Sequence, residues 1–301
     1  NLGYVMAVEE LARIDGSQAA TVAAANSLGI GPIYEFGNEE QKRKYLPQLC
    51  SGEALRGFGL TEPNAGSDAG NTQTTAVLDG NEWVINGNKI FITNASTDIS
   101  LGVTVLAKTG VREDGKKELS CILVESGAPG YEAREMKGKM VWRASNTSEL
   151  YFEDCRVPET NLLGPRGEGF KQMMKTLDGG RLSIAAMGLG GAQGCFDMSL
   201  TYSRQREQFG MPISKFQVNA FKLADMAVEI DAARVDDRPT TFSGGMQQPL
   251  SIAQALVKKP KILLLDEPFG ALDPGIRADM HALILDLWKK NNLTVVMVTH
   301  D

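Results

Sequence analysis

The stretch from Phe58 to Asp68 contains the residue types that a loop needs to bind an acceptor-rich ligand. Gly59 and Gly66 allow backbone angles that other residues resist, and a Pro-Asn pair between them favours a turn. An irregular loop of this kind exposes backbone N–H groups, and Thr61 and Ser67 add hydroxyl donors. We therefore predict a ligand-binding loop here. The alternative is a polar connection between a helical region and a sheet.

Composition and charge narrow the class of protein. The 301 residues are enough for two domains, and 43% hydrophobic with 23% charged residues is ordinary for a globular chain. The formal net charge of -6 argues against nonspecific nucleic-acid binding, because polyphosphate backbones attract basic surfaces. No apolar run reaches the length of a membrane span and no signal peptide opens the sequence. We therefore expect a cytoplasmic protein of bacterial type.

The cysteines and histidines form no pattern typical of a disulfide framework or a metal site. The four cysteines lie far apart without a CxxC pair, as in proteins that keep their thiols reduced. The two histidines, His281 and His300, have no Cys or His partner at ligand spacing. The sequence therefore predicts no metal cluster.

Residues 1–55 have the pattern of successive helices. Ser17 is the predicted cap of a helix that runs through Ser27, where a Gly-Ile-Gly-Pro sequence follows and predicts a break. Asn38 is the predicted cap of the next helix, Glu39 to Leu46, and Pro47 and Gly52 are predicted to close it.

Residues 57–164 change to short β-prone runs separated by turn signals. Asp79-Gly80 and Asn86-Gly87 are strong hairpin signals, and Asp114-Gly115 separates later runs. We predict a compact antiparallel β domain.

Residues 167–234 return to a helical pattern, with a long apolar-rich helix over Leu182–Arg204. Each glycine inside a helix costs about 0.5–1 kcal/mol relative to alanine. The glycines of this helix are Gly188, Gly190, Gly191 and Gly194. Such a cluster predicts that another helix or a cofactor lies very close.

Three motifs resemble those of the acyl-CoA dehydrogenase family, in its short- and medium-chain branch. The loop Phe58–Asp68 is similar to the family segment that wraps the flavin, and Lys89–Asn94 is similar to the strand packed on the flavin ring. Arg206–Gly210, followed by Phe216-Gln217, resembles the segment that reaches FAD across a subunit interface. The resemblance runs from about Gly3 to Arg234.

This resemblance implies FAD-dependent α,β-dehydrogenation of acyl-CoA thioesters, as in fatty acid β-oxidation, by a homo-oligomer, a dimer or tetramer. The residues it assigns to FAD are Phe58, Leu60, Thr61, Gly66, Ser67, Phe91, Ile92, Thr93, Arg206, Phe209 and Gln217. It assigns Ser67, Asp178 and Arg181 to the acyl-CoA, and an arginine suits the polyanionic CoA. Without the resemblance, Asp178 and Arg181 could equally be surface charges of a helix. Asn71 stands where the family usually has a small residue.

The reaction also needs a carboxylate base within hydrogen-bond reach of the α-carbon. In the resembled branch this glutamate lies in C-terminal helices that the resemblance does not reach. Another branch places a glutamate at the position of Gly180. We identify no base, and the catalytic residue therefore stays unknown. The sequence predicts no normal turnover of acyl-CoA.

A second resemblance, to the ATPases of ABC transporters, begins after the charged segment Asp236–Pro239, which ends in a proline. Phe242–Gln248 resembles their signature motif, and Ile262–Pro268 resembles a Walker B strand ending in two carboxylates. Ala271–Asp273 and His300 resemble the D-loop and the switch histidine. The residues that this resemblance assigns to an ATP site are Ser243, Gly244, Gly245, Gln247, Asp266, Glu267, Asp273 and His300.

Under this alternative Asp266 could hold Mg²⁺ and Glu267 could orient water, whereas alone the pair could be a solvated strand end. No GxxxxGK[ST] loop occurs in the chain, so we predict no ATPase activity. The two apolar strands, Ile262–Asp266 and Thr294–Val298, are expected to pair in parallel.

These patterns together predict an α+β multidomain chain. Its parts are a partial N-terminal helical domain (1–56), a middle β domain (57–165), a partial helical bundle (166–234) and a βαβ fragment of P-loop NTPase type without its P-loop (235–301). The predicted identity is an acyl-CoA dehydrogenase-type flavoprotein. The alternatives are a fragment of an ABC ATP-binding subunit, which would have a membrane transporter as its partner, or a nonfunctional chimera of the two.

Overall fold

The structure, a computed structural model, describes residues 2–236, 262–266 and 294–298. Contacts divide the chain into two units, residues 1–219 and residues 220–301. The first unit contains most of the described helices and strands, and the second contains most of one further helix and two short strands.

The first unit begins with helices. They are α1 (Leu2–Ile14), α2 (Gly16–Ala24), a π-helix (Ala25–Ile30), α3 (Gly31–Phe36) and α4 (Glu39–Ser51). Asp15, and not Ser17 as predicted, caps α2, because its carboxylate accepts a hydrogen bond from the backbone N–H of Ser17 at 2.7 Å. The predicted break after Ser27 is also wrong, since the wider π-helical turn joins α2 to α3 without an interruption.

The N-cap of α4 and its end at Gly52 agree with the sequence, whereas Pro47 does not end the helix. Asn38 accepts a hydrogen bond from the Gln41 backbone N–H, and Gln41 accepts one from Asn38 in return, a capping box. Such a cap stabilises a helix by about 0.5–2 kcal/mol. The helix continues through Pro47, because the buried Leu49 holds the last turn against the core, and it ends at the left-handed Gly52.

Eight strands form the main sheet. They are β1 (Leu55–Gly59), β2 (Thr75–Asp79), β3 (Glu82–Thr93), β4 (Ser100–Val111), β5 (Lys117–Glu125), β6 (Tyr131–Glu135), β7 (Thr147–Pro158) and β8 (Leu162–Leu163). Their order is β6-β7-β3-β2-β4-β5-β8, and β1 pairs with β4. Most pairs are antiparallel, as predicted, but β1 and β2 both run parallel to β4.

Two local predictions in this sheet fail for identifiable reasons. Asn86-Gly87 is not a turn, because β3 continues along β7 and absorbs the pair as an irregularity between Ile85 and Gly87. Residues 55–59 form a strand, although the sequence predicts an irregular loop from Phe58 onwards. Asp79-Gly80 does form the predicted hairpin turn, with Asp79 opposite Glu82.

The core of the first unit has three parts. One face of the sheet buries a cluster around Trp83, Ile85 and Leu150. The other face packs against α3, α4 and the long helix α5 (Gly169–Gln205) through residues such as Ile33, Leu106 and Met173. A third cluster lies among α1, α2 and α5.

Helix α5 (Gly169–Gln205) is longer than predicted, and it approaches α1 at two of its glycines. A Cβ atom on Gly190 would lie 2.0 Å from the Glu9 carbonyl oxygen, and one on Gly194 would lie 2.1 Å from the Arg13 carbonyl oxygen. The glycine cluster therefore does mark a close helix contact. A hairpin of β9 (Glu207–Gln208) and β10 (Met211–Pro212) follows α5.

In the second unit the structure describes α6 (Gln217–Asp236) and the strands β11 (Ile262–Asp266) and β12 (Thr294–Val298). The strands pair in parallel, with Asp266 opposite Val298, which confirms the predicted pairing. No helix in the described part of the chain is both long enough and apolar enough to span a bilayer.

Candidate functional site

Two segments that are remote in sequence meet at one pocket of about 150 Å³. Six residues proposed from the sequence line it: Phe58, Leu60, Thr61, Phe91, Ile92 and Thr93. Phe58 lies in β1 and Leu60 and Thr61 follow this strand directly, while the other three lie at the end of β3. The π-helix contributes Leu28 and α5 contributes Leu177. The pocket is therefore mainly apolar, with the partly exposed threonines as hydroxyl donors.

The backbone is strained where β3 enters this pocket. Phe91 has a φ of 62°, in the left-handed region, and its side chain is 61% exposed. The pairing of β3 with β7 is irregular between Lys89 and Ile92. A bulky residue in this conformation costs about 1–2 kcal/mol, and such strain clusters at ligand sites. Because of this irregularity the aromatic ring of Phe91 points outward, in a direction that differs from the one a regular strand would give it.

A buried ion pair lies behind the pocket wall. The Nζ atom of Lys89 is 2.8 Å from the Glu62 carboxylate and donates to the Leu60 carbonyl oxygen at 3.1 Å. Glu62 also accepts hydrogen bonds from the backbone N–H groups of Gln73, at 2.7 Å, and Thr74, at 3.1 Å. Lys89 is 1% exposed and Glu62 is 5% exposed. Both charges are thus compensated away from water.

Burial and pairing act in opposite directions on these two groups. Burial lowers the pKa of Lys89 to about 8, although the Glu62 charge opposes this. Burial raises the pKa of Glu62, but the charge and hydrogen bonds of Lys89 and its other donors outweigh burial, so its pKa is lowered. Burial raises the pKa of the neighbouring Cys121 thiol to about 12, which keeps this thiol neutral.

The lowered pKa of Lys89 predicts a pH-dependent stability. Its pKa is about 8 in the folded chain against an ordinary 10.5, so between these values the unfolded chain binds the extra proton. The unfolding free energy should then rise with pH across this window, by up to about 1.4 kcal/mol per unit. The stability gained from deprotonation of Lys89 is complete above pH 10.5, the ordinary lysine pKa. It is lost as the pH falls to about 8, the pKa of Lys89 in the folded chain.

Urea unfolding at several pH values should therefore show a smaller rise between pH 8 and 10 for Lys89→Met than for the unmodified chain. Lys116→Met is the control, because the side chain of Lys116 is 79% exposed. An unchanged slope in Lys89→Met would contradict the assignment.

The outer part of the loop does not reach the pocket. Gly66 and Ser67 are exposed and lie outside its lining. Asn71, the departure from the family pattern, is held by Lys117, whose Nζ atom contacts the Asn71 Oδ1 atom at 3.0 Å and the Thr72 carbonyl at 3.0 Å. The larger side chain thus has a defined place in this structure.

Helix α5 passes between the pocket and a larger cavity of about 620 Å³. Asp178 and Arg181 form an exposed ion pair at 3.3 Å and line neither space, whereas Leu177 lines the pocket and Gly179 lines the cavity. A Cβ atom on Gly180 would lie 3.8 Å from the Leu28 Cδ2 atom, in ordinary contact. Asp178 and Arg181, which the sequence suggests as substrate residues, therefore lie close to Leu177 along the helix, but neither of them lines the pocket.

Arg206, Phe209 and Gln217 lie at a different place in the structure. All three are exposed, and Phe209, with a φ of 54° at the turn of the β9–β10 hairpin, is 89% exposed. The structure does not bring them to the pocket of the same chain.

The proposed ATP-site residues are largely outside the described residues. Only Asp266 of this set is described, at the end of β11, while Ser243, Gly244, Gly245, Gln247, Glu267, Asp273 and His300 lie outside.

Sequence reasoning missed Glu62 and Lys89 as a pair, and it missed Arg56. Charged residues are rarely buried, so their default prediction is exposure. Arg56 is 1% exposed, donates to the Val103 and Val124 carbonyl oxygens, and borders the pocket. The sequence carries no local signal for the burial of Lys89, because the apolar Ile90 and Ile92 alternate out of phase with it along the strand.

Comparisons with known proteins agree with this architecture. Three family models match: the acyl-CoA dehydrogenase N-terminal domain at residues 1–53, the middle domain at 57–155 and the C-terminal domain at 167–235. A probable acyl-CoA dehydrogenase of Bacillus subtilis is 54% identical over 233 residues, which are 77% of this chain and 61% of that protein. The chain thus spans about three fifths of the length of this relative.

Solved structures show the same similarity. Butyryl-CoA dehydrogenase from Megasphaera elsdenii superposes with a TM-score of 0.74 at 40% identity, covering 86% of this chain and 70% of that chain. An acyl-CoA dehydrogenase from Bacillus anthracis, solved in complex with FAD, superposes with a TM-score of 0.71 at 35% identity, covering 83% of this chain and 44% of that chain.

Proposed function

The chain belongs to the acyl-CoA dehydrogenase family, and from this premise we propose that residues 1–235 bind FAD and an acyl-CoA thioester. The observation that carries the proposal is the pocket that unites the ends of β1 and β3. Its six predicted residues come from two motifs about thirty positions apart.

The residue types that line the pocket suit one side of a flavin. A flat aromatic ring system with polar edges needs apolar walls and a few hydrogen-bond donors. Phe58 and Leu60 supply apolar wall, Phe91 presents an exposed ring, and Thr61 and Thr93 are partly exposed at the rim. The chemistry that FAD supplies in such a site is acceptance of hydride from the β-carbon of the thioester.

The remaining assignments concern groups outside the pocket. We assign Ser67, Asp178 and Arg181 to the acyl-CoA on the family resemblance; all three are exposed and so accessible to a large ligand, and none of them lines the pocket. Arg206, Phe209 and Gln217 would contact the FAD of a second copy of the chain. Their exposure, and above all that of Phe209, supports this role.

We also propose that the described residues supply no base for dehydrogenation. Among the described residues, no carboxylate lines the pocket. The carboxylate of Glu35 borders the neighbouring cavity, but Lys175 pairs with it at 2.5 Å. The acyl-CoA would then bind without losing its α-proton.

The test is an absorbance spectrum of the purified chain after incubation with FAD and gel filtration. We expect a retained flavin band, and no bleaching when butyryl-CoA is added without oxygen. A colourless protein would contradict FAD binding, and bleaching by the unmodified chain would contradict the missing base.

Gly180→Glu gives a sharper test of the base. Its Cβ would be in ordinary contact with Ser27, which borders the larger cavity, at 3.6 Å and with Leu28, which lines the pocket, at 3.8 Å, so a carboxylate extended past Leu28 should allow bleaching by butyryl-CoA. Gly179→Glu is the matched control, because that position lines the other cavity and has nothing within 4 Å. A Gly180→Glu protein that retains FAD but does not bleach would count against the placement.

A second candidate function concerns residues 235–301. We propose that this segment is related to ATP-binding subunits of ABC type and would meet ATP and Mg²⁺, as favoured by the parallel pairing of β11 and β12. Asp266 ends β11, where a carboxylate of a Walker B strand would stand. We expect no ATP hydrolysis, since the phosphate-binding loop is missing from the sequence. An ATP analogue that leaves Tm unchanged would count against nucleotide binding.

A further inference from the structure

The loop and the strand that form the pocket are joined by a small set of polar contacts. Lys89 contacts both the Leu60 carbonyl oxygen and the Glu62 carboxylate, and the Ile90 backbone N–H donates to the Thr61 carbonyl oxygen at 2.9 Å. These contacts connect the loop residues that line the pocket to β3 immediately before Phe91. They lie at the point where the strand becomes irregular.

Glu62 forms the hydrogen bonds that fix the loop itself. Its backbone exchanges hydrogen bonds with Ala65, at 3.0 and 3.1 Å, which folds the loop into a tight turn. Its carboxylate receives the backbone N–H groups of Gln73 and Thr74, where the chain returns towards β2. One carboxylate thus holds the start and the end of the loop, and Lys89 holds that carboxylate against the sheet.

Neither charged side chain lines the pocket itself. Both are almost completely buried, so any effect on a ligand must act through the backbone that they hold. Charge-assisted hydrogen bonds away from water are strong and directional, and they fix the groups they join more tightly than apolar packing does.

We propose that the Glu62–Lys89 ion pair is a positioning device that sets the distance between the two walls of the flavin pocket, Leu60-Thr61 and Phe91–Thr93. This inference rests on the proposed FAD site for its functional consequence, but the effect on the loop itself does not depend on FAD. Thr61 and Phe91 would keep their chemistry without the pair and lose their spacing.

The experiment compares the full chain with Glu62→Gln, Lys89→Met and the double variant, with Lys116→Met as an exposed-lysine control. FAD binding is measured on the flavin-free protein by titration. We expect each single variant to weaken FAD binding by about ten- to a hundredfold, by analogy with residues that orient the direct ligands of a metal. The control should bind FAD as the unmodified chain does.

The double variant separates positioning from general stability. It leaves no unpaired buried charge, so it should unfold closer to the unmodified chain than either single variant, and it should fold even if a single variant does not. If the pair positions the loop, FAD binding stays weak in the double variant. FAD affinity that recovers together with stability would overturn the proposal.

Amide hydrogen exchange on the flavin-free protein provides a readout that is independent of FAD. We expect faster exchange in residues 60–67 and 90–94 of the double variant, with unchanged exchange in α4 and β4. If the unmodified chain binds no FAD, the proposed function fails, and exchange still decides whether the pair orders the loop. Unchanged exchange in these two segments would overturn the positioning role.

Discussion

Gly190→Ala is expected to destabilise the first unit by about 3 kcal/mol, the upper range for an overpacked contact. The added Cβ would lie 2.0 Å from the Glu9 carbonyl oxygen and 3.0 Å from the Ala12 Cβ atom. Backbone atoms cannot rotate away as a flexible side chain can, so α1 and α5 must move apart. The buried cluster that includes Val8, Ala12 and Met187 would then open.

The matched control is Gly191→Ala, one position further along the same helix. A Cβ on Gly191 has nothing within 4 Å, so this change should stabilise the chain by about 0.5–1 kcal/mol through helix propensity. Urea unfolding followed by far-UV circular dichroism measures both variants. Equal midpoints for the two would contradict the close contact of α1 with α5.

The second large effect is expected at the Glu62–Lys89 pair. Lys89→Met should cost about 3–5 kcal/mol, because it leaves Glu62 as a buried charge without its partner. Glu62→Gln should also destabilise the chain, since it leaves the ammonium of Lys89 with a neutral amide and carbonyl oxygens in a dry site. Water would solvate the remaining charge if the pair were on the surface, but it does not reach this buried site.

The two changes together should cost less than the sum of their separate costs, because the double variant contains neither charge. The coupling is obtained from the four unfolding free energies of a double-mutant cycle, measured at pH 7. Additive costs would show that the two side chains act independently, contrary to their 2.8 Å contact.

Two motifs that carry the family resemblance supply six residues that line one pocket in the structure, and the role of these residues towards FAD stays a prediction. Phe58, Leu60 and Thr61 come from one and Phe91 to Thr93 from the other, and the structure brings both to one place. The order of helices, sheet and helices was also predictable, because the periodicity of apolar residues changes with each region.

Other features depend on partners that are remote in sequence. Asn86-Gly87 has the local preference of a turn, yet pairing with β7 carries β3 through it. Pro47 has the local preference of a helix end, yet α4 continues to Ser51. Burial of Lys89 and Glu62 was not predictable, because each depends on the other, twenty-seven positions away.

The π-helix Ala25–Ile30 forms a wall shared by two separate spaces. Leu28 faces the smaller one, while Asn26, Ser27 and Ile30 border the larger. Loss of a single residue from this widened turn would swing the following side chains by about 100°. A homologous sequence with one residue fewer in this turn would therefore change the lining of the pocket and of the larger cavity together. The size of one space could not be altered in this way while the other kept its shape.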